Sequence, residues 1–315
     1  MGDAIQGSRR LLDVDLLQEC LKHTAESDMY ILKTATSALE EALVENLPGW
    51  RAVGVSGLFG AVLLLALSAD AADDAVQGAH LPSQAAAAIS AGRRSSALTF
   101  DSGAPRPGGR WTLYDCARSE LPAAGSPDDS RRHGVVVREL STVEALADRP
   151  LDAIMLDLSG SQELPPAGDM AVLFTRDTAL EEHWRALRNH GQPVGRRFHH
   201  EYVGVNSRVD EVNARYLLAQ LPTAPDRGKR LTELRSRLTQ AWTDFGARPA
   251  PDLHEGGGVV LTRVSADALA VLTRHSIPVR TLDHGEVLIP VLADLDDTEA
   301  ESIEHLAGTA KGSGA

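Results

Sequence analysis

Apolar residues recur along this chain at two spacings, and their alternation is the first thing the sequence says about its fold. From Met29 to Leu47, Leu32, Ala35, Leu39, Ala42 and Leu43 fall on one helical face, and Pro48-Gly49 ends the run. Val53-Gly-Val55 then reads as a short buried strand, Ser56-Gly57 as a turn, and Leu58 to Ser68 as an apolar helix. An alanine-rich helix around Gln84 to Ala91 follows. Strand-like runs lie at Ala97 to Phe100, Trp111 to Tyr114, Val135 to Val137, Ala153 to Leu156 and Ala171 to Phe174. Strands that alternate with helices predict an α/β fold with a mostly parallel sheet.

The pattern changes after Pro222. Leu231, Leu234, Leu238, Trp242 and Phe245 form the stripe of a long helix, and Arg248 to Gly258 reads as a loop. Val259 to Val264, Ala266 to His275, Ile277 to Leu282, Val287 to Ile289 and a helix from Thr298 to Leu306 complete a smaller α/β unit. The expected organisation is a large domain over residues 1–221, a small one over 222–310 and a tail over 311–315. The proline- and glycine-rich stretches Ser102 to Gly109 and Ala123 to Asp129 read as loops within the large domain.

Composition narrows the function classes. A formal net charge of -13 argues against a nucleic-acid partner. Ala52 to Ala69 is almost uncharged, but its strand, turn and helix leave no continuous span of about 20 residues, so a membrane role is not expected. Cys20 and Cys116 lie far apart, and no signal-peptide pattern precedes them. The expected location is the cytoplasm, with free thiols. Lysine occurs only at positions 22, 33, 229 and 311.

Two runs carry the strongest signal: Arg185-Ala-Leu-Arg-Asn-His-Gly-Gln192, and Gly204-Val-Asn206-Ser-Arg208-Val-Asp210-Glu211. Together they resemble the DegT/DnrJ/EryC1/StrS family of pyridoxal-phosphate (PLP) sugar aminotransferases. The resemblance implies the type I fold of PLP-dependent aminotransferases, a dimer, and a small-molecule biosynthetic role. It extends to Val55-Ser56-Gly57-Leu58, similar to the family turn that holds the cofactor phosphate at a helix N-terminus, where unpaired N–H groups and the helix dipole favour an anion. Ser56, Gly57 and Asn206 are thus the implied cofactor contacts, Asn206 reaching into the neighbouring subunit's site. Asn206 also suits a loop or helix cap, with Ser207 able to cap the next helix and Asp210 three residues on.

Other positions depart from the family. Leu58 stands where it has threonine, Pro82, near His80, where it stacks an aromatic ring, and Asp157 where a serine contacts phosphate. Between the strand ending at Asp157 and the run Gly168 to Thr175, the Schiff-base lysine is replaced by Gln162, or by Glu163 if the gap shifts. An amide cannot form the internal aldimine or move a proton. For the acid beside the pyridinium nitrogen, Asp115 and Glu139 both remain open. The resemblance therefore implies a degenerate member without a covalently held cofactor and with no metal. Its implied role is that of an accessory subunit in a homo- or heterodimer with an active paralogue, or of a PLP-independent enzyme using Asp157, Gln162, His80 and Asp115 or Glu139. His199-His200 lacks a ligand-spaced companion set, and Asp294-Leu-Asp-Asp297 reads as helix initiation, with Thr298 and Glu301 as a capping box.

Overall fold

A helix that is apolar on every side must be buried on every side, and Leu58–Ser68 (α3) meets that condition: all but Phe59 of its residues are buried. The computed structural model describes residues 12–69, 76–78, 81, 83–96, 109–116, 131–196, 198–250, 258–277, 279–282, 285–291 and 295–312. Around α3 stand Val14–Ser27 (α1), Thr34–Ala42 (α2), Arg51–Val55 (β1), Val76–Gly78 (β2), Ser83–Ser96 (α4), Arg110–Asp115 (β3), Arg131–Val137 (β4), Leu140–Leu146 (α5), Ala153–Asp157 (β5), Ala171–Thr175 (β6), Thr178–Arg188 (α6) and Glu211–Gln220 (α7). The sheet runs β1-β6-β5-β4-β3-β2. Pairs among β2 to β5 are parallel, while β6 is antiparallel to both β5 and β1, so the sheet is mostly parallel, as expected. Helix α3 packs on α4, α6 and the sheet; Gly92 of α4 lies so close to Ala66 that a side chain there would collide.

The chain divides into two compact units, one of residues 13–159 and 166–222, the other of 1–12, 160–165 and 223–315. In the second, Ala224–Ala241 (α8), Ala247–Ala250 (β7), Gly258–Leu261 (β8), Ala266–Arg274 (α9), Arg280–Thr281 (β9), Val287–Pro290 (β10) and Asp297–Gly312 (α10) form a sheet β7-β8-β10-β9 with antiparallel pairs. Its core takes Leu231, Leu234 and Leu238 of α8, Trp242 and Phe245 beyond it, and Val271, Ile289 and Ile303. No helix of the described residues is long and apolar enough to cross a membrane.

Local chemistry corrects several sequence expectations. The helix expected from Met29 to Leu47 is only α2, because Asp28 (φ 52°) and Leu32 (φ 48°) take left-handed backbone and Glu211 seizes the first free N–H groups. The helix after Asn206 is not capped by Ser207; it begins at Glu211 with Asp210 in the cap position. The capping box of α10 is formed by Asp296 and Glu299, each side chain accepting from the other's backbone N–H, two residues earlier than Thr298 and Glu301. The stretch from Arg248 includes part of β7, which pairs with β8. His199 and His200 lie in a loop. The strand expected at Ala97 to Phe100, His80, Pro82, and the loops 102–108 and 123–129 fall outside the described residues.

Glu211 is fully buried, and its carboxylate accepts from the backbone N–H groups of Lys33, Ala35 and Thr36 and from the Thr36 hydroxyl. Burial pushes this carboxyl upward, but the four donors outweigh it and hold it below the ordinary value of 4.5. A carboxylate depressed by folding stabilises above its unfolded value, and the contribution disappears as pH falls through the folded one. Glu211→Gln is therefore expected to lower stability by about 2 kcal/mol near neutral pH, with the deficit shrinking below the normal glutamate range; urea unfolding at a series of pH values measures it.

Candidate functional site

Strand direction decides where chemistry can gather in such a sheet. Because β1 and β5 are both antiparallel to β6, and β5 runs with β4 and β3, these four strands end at one carboxyl edge. Open α/β sheets bind ligands outside such an edge. Ser56-Gly57 follows β1, Asp115 ends β3, Arg138-Glu139 follows β4 and Asp157 ends β5. Val55 and Asp157 both pair with Ala171, and Val137 pairs with Leu156, so by register Arg138 and Asp157 come level. Five of the seven residues singled out in the sequence thus share one edge.

The edge is buried and internally bonded. Asp115 is almost completely buried, and the Arg138 guanidinium donates to both its oxygens, at 3.0 and 3.1 Å. Such a fork-to-carboxylate pair is the strongest kind of ionic hydrogen bond. Glu139, the alternative acid, is also buried and stands at the start of α5. Asp157 is buried too, with Oδ1 accepting from the Ser159 N–H at 3.1 Å. At the β1 turn, the buried Ser207 hydroxyl lies 3.0 Å from the Ser56 hydroxyl and accepts from the Ser56 N–H at 3.4 Å. It also presses on Gly60, where any Cβ would overlap it.

Gln162 and Glu163 fall in the other unit. There Glu163 is buried against Gly228 of α8, and its carbonyl accepts from Arg227 at 3.4 Å, while Gln162 is half-buried. The four lysines are all exposed: Lys22 on α1, Lys33 before α2, and Lys229 and Lys311 each paired with an aspartate of their own unit.

The two signature runs fold as a single knot. The His190 N–H donates to the Val205 carbonyl at 3.0 Å, Val205 N–H to Leu187 at 2.8 Å, and Ser207 N–H to Arg188 at 3.0 Å. Gly191 has φ 78°, and a Cβ there would overlap the Tyr202 carbonyl, while one on Gly204 would overlap the Gly191 backbone. Asn206 is exposed, its side-chain oxygen accepting from Arg208 Nε at 2.9 Å. Beneath the knot, Arg188 reaches Glu40 at 2.5 Å and the Gly54 carbonyl at 2.6 Å, while Arg185 reaches the second Glu40 oxygen at 2.7 Å and also pairs with Glu181. Glu40 accepts from the Gly54 N–H at 2.8 Å. Burial holds the Arg188 guanidinium below its ordinary value even with Glu40 beside it, whereas Arg185, also lowered by burial, is raised overall by Glu40 and Glu181.

Against known proteins, the sequence signal has a clear counterpart. Residues 162–275 match the DegT/DnrJ/EryC1/StrS aminotransferase family. The resemblance carried by the signature runs is borne out in that segment. Among curated relatives, UDP-N-acetyl-3-dehydro-alpha-D-glucosamine 3-aminotransferase of Acidithiobacillus ferrooxidans is 44% identical over 62 residues, which is 20% of this chain and 16% of that protein. The matched part thus spans about a sixth of that relative. Among solved structures, a DegT DnrJ EryC1 StrS aminotransferase from Brucella abortus superposes with a TM-score of 0.73 at 14% identity, covering 98% of this chain and 99% of that one. The Helicobacter pylori aminotransferase PseC, of pseudoaminic acid biosynthesis, gives 0.71 at 15% identity, covering 93% and 95%. The aminotransferase fold read from the sequence is confirmed over nearly the whole chain.

Sequence reasoning missed Arg138 and misread Ser207. A lone arginine directly after the apolar Val135 to Val137 run was the available signal for the first. Nothing local distinguishes a hydroxyl that caps a helix from one that fills a turn. Gly204→Ala should cost about 3 kcal/mol or more, because the added Cβ meets backbone that cannot yield; thermal unfolding against the wild type gives the number.

Proposed function

We propose that this chain is a catalytically degenerate DegT/DnrJ/EryC1/StrS-type homologue, acting in the cytoplasm as the accessory subunit of a heterodimer with an active PLP aminotransferase in specialised or amino-sugar metabolism. The observation that carries the reading is a contrast. The signature knot is complete and offers Asn206 at the surface, held by Arg208, while no strand end of the carboxyl edge bears a lysine. A scaffold that keeps what serves a neighbour and lacks the amine its own chemistry would require is suited to completing another subunit's site.

The residues at the edge do not fit a Schiff-base-held pyridoxal phosphate. The Asp157 carboxylate would oppose a phosphate, Leu58 supplies no hydroxyl, and in the sequence the lysine's position is held by Gln162 or Glu163, neither of which is an amine. No catalytic step is therefore assigned through that group. The second reading, a PLP-independent enzyme in the same cleft, draws support from the convergence of Asp115, Glu139 and Asp157 on one edge. It is weakened by Arg138, which already engages both oxygens of Asp115.

Native mass spectrometry of the tagged protein from its own host tests the proposal. A second polypeptide that carries PLP is the expected finding; a self-dimer with a different ligand would favour the repurposed enzyme and sink the accessory role. In the heterodimer, Asn206→Ala is expected to lower the partner's activity by about tenfold, at unchanged thermal stability of this chain. Gln162→Lys alone should yield no transamination with PLP; steady turnover by that variant would refute this account of the edge.

A further inference from the structure

Helix α6 presents two faces. Arg185 and Arg188 are directed to Glu40 and β1, whereas Ala179, Glu182, His183 and Ala186 recur at the i, i+3, i+4 and i+7 spacing of a single face. That second face and the loop from Pro193 to Tyr202 line a hollow of about 560 Å³. Both walls belong to the same compact unit. Ala179 and Ala186 each carry only a methyl group, so space stays open along the helix on either side of His183. His183 is itself buried and meets Tyr202 edge to face, with ring centres 4.4 Å apart at 86°. The Tyr202 ring is therefore held in the wall by the protein's own packing.

The charges around the hollow do not cancel. Arg196 and His199 both approach Glu201, so that acid is answered from within the loop. Glu182 is exposed on the lining and, among the described residues, has neither an ion pair nor a hydrogen bond. The Tyr202 hydroxyl likewise makes no hydrogen bond among the described residues. Burial raises the Tyr202 phenol above its ordinary value, and the carboxylates of Glu201 and Glu182 push the same way. Both acids thus act on the space that Tyr202 borders.

We propose that this hollow binds a small organic ammonium ion, its apolar or aromatic body seated against Tyr202, Pro193, Val194 and the two alanines and its charged nitrogen on Glu182. The volume falls within the range of about 300–1,000 Å³ found for small-molecule sites. A cation on Glu182 is also drawn by the Tyr202 ring, and the phenol oxygen can accept from its N–H. An anion would meet two carboxylates, while the described cation of the lining, Arg196, is engaged by Glu201. The site uses none of the residues at the carboxyl edge, and it goes beyond the accessory role, neither requiring nor excluding a partner subunit.

Isothermal titration calorimetry of the full chain at neutral pH tests the inference, with three probes that share one phenyl-alkyl body: phenethylamine, 2-phenylethanol and 3-phenylpropionate. Phenethylamine, protonated under these conditions, should bind saturably at one site per chain and about tenfold more tightly than the alcohol, and the carboxylate should give no saturable heat. Glu182→Gln, at an exposed position, should melt like wild type and bind the amine no better than the alcohol. Ala186→Leu fills the buried end of the hollow and should weaken amine and alcohol together; should it fail to fold, Ala179→Leu at the exposed end takes its place. Absence of saturable amine binding through the millimolar range would overturn the inference. So would tighter binding of the carboxylate, an amine preference that survives in Glu182→Gln, or undiminished amine binding by the filled variant.

Discussion

The placement of β1 depends on one buried carboxylate. Glu40 projects from α2 and pairs with both Arg185 and Arg188 of α6, while it also accepts from the Gly54 N–H in the middle of β1. Arg188 returns a bond to the Gly54 carbonyl. Two helices and a strand are therefore fixed through a single acid and two guanidiniums, in surroundings where loss of any member strands a charge. Everything that forms the carboxyl edge at this end is referred to that point: the Ser56-Gly57 turn two residues beyond Gly54, the mouth of α3, and the His190-Gly191 turn just past Arg188.

This cluster also separates structural from chemical roles within the signature runs. Arg185 and Arg188, which look like binding residues in a linear reading, are directed inward to secure β1. Asn206 is exposed and accepts from the partly exposed Arg208. The same division holds along the sheet edge, where Asp115 is engaged by Arg138 and Asp157 is turned onto the backbone of Ser159. Polar groups that would serve a ligand are, in this chain, largely committed to one another.

Much of this architecture was legible in the sequence because it rests on periodicity. The apolar runs at Leu58 to Ser68, Ala153 to Leu156 and Ala171 to Phe174 became α3, β5 and β6 with boundaries within a residue. What stayed hidden depends on long-range partners. Glu211 caps a helix that lies about 180 residues earlier in sequence, so the start of α2 could not be read locally. Helix α6, with a polar outer face, and α1 were masked by their charge content, and β7 by its arginine and proline. The site divided likewise: the acids at strand ends were visible as residues, but that Arg138 would claim one of them, and Ser207 the turn, follows only from parallel pairing of β3 with β4 and from the knot.

The crossing of Gly191 over Gly204 has a consequence for what a family signature measures. A Cβ on Gly204 would strike the Gly191 backbone and one on Gly191 the Tyr202 carbonyl, while backbone pairing of residues 188–190 with residues 205–207 holds the crossing together. Steric exclusion obliges a chain on this path to keep both glycines whatever chemistry it performs. The most recognisable stretch of the sequence thus reports ancestry and backbone path, and its persistence is uninformative about turnover.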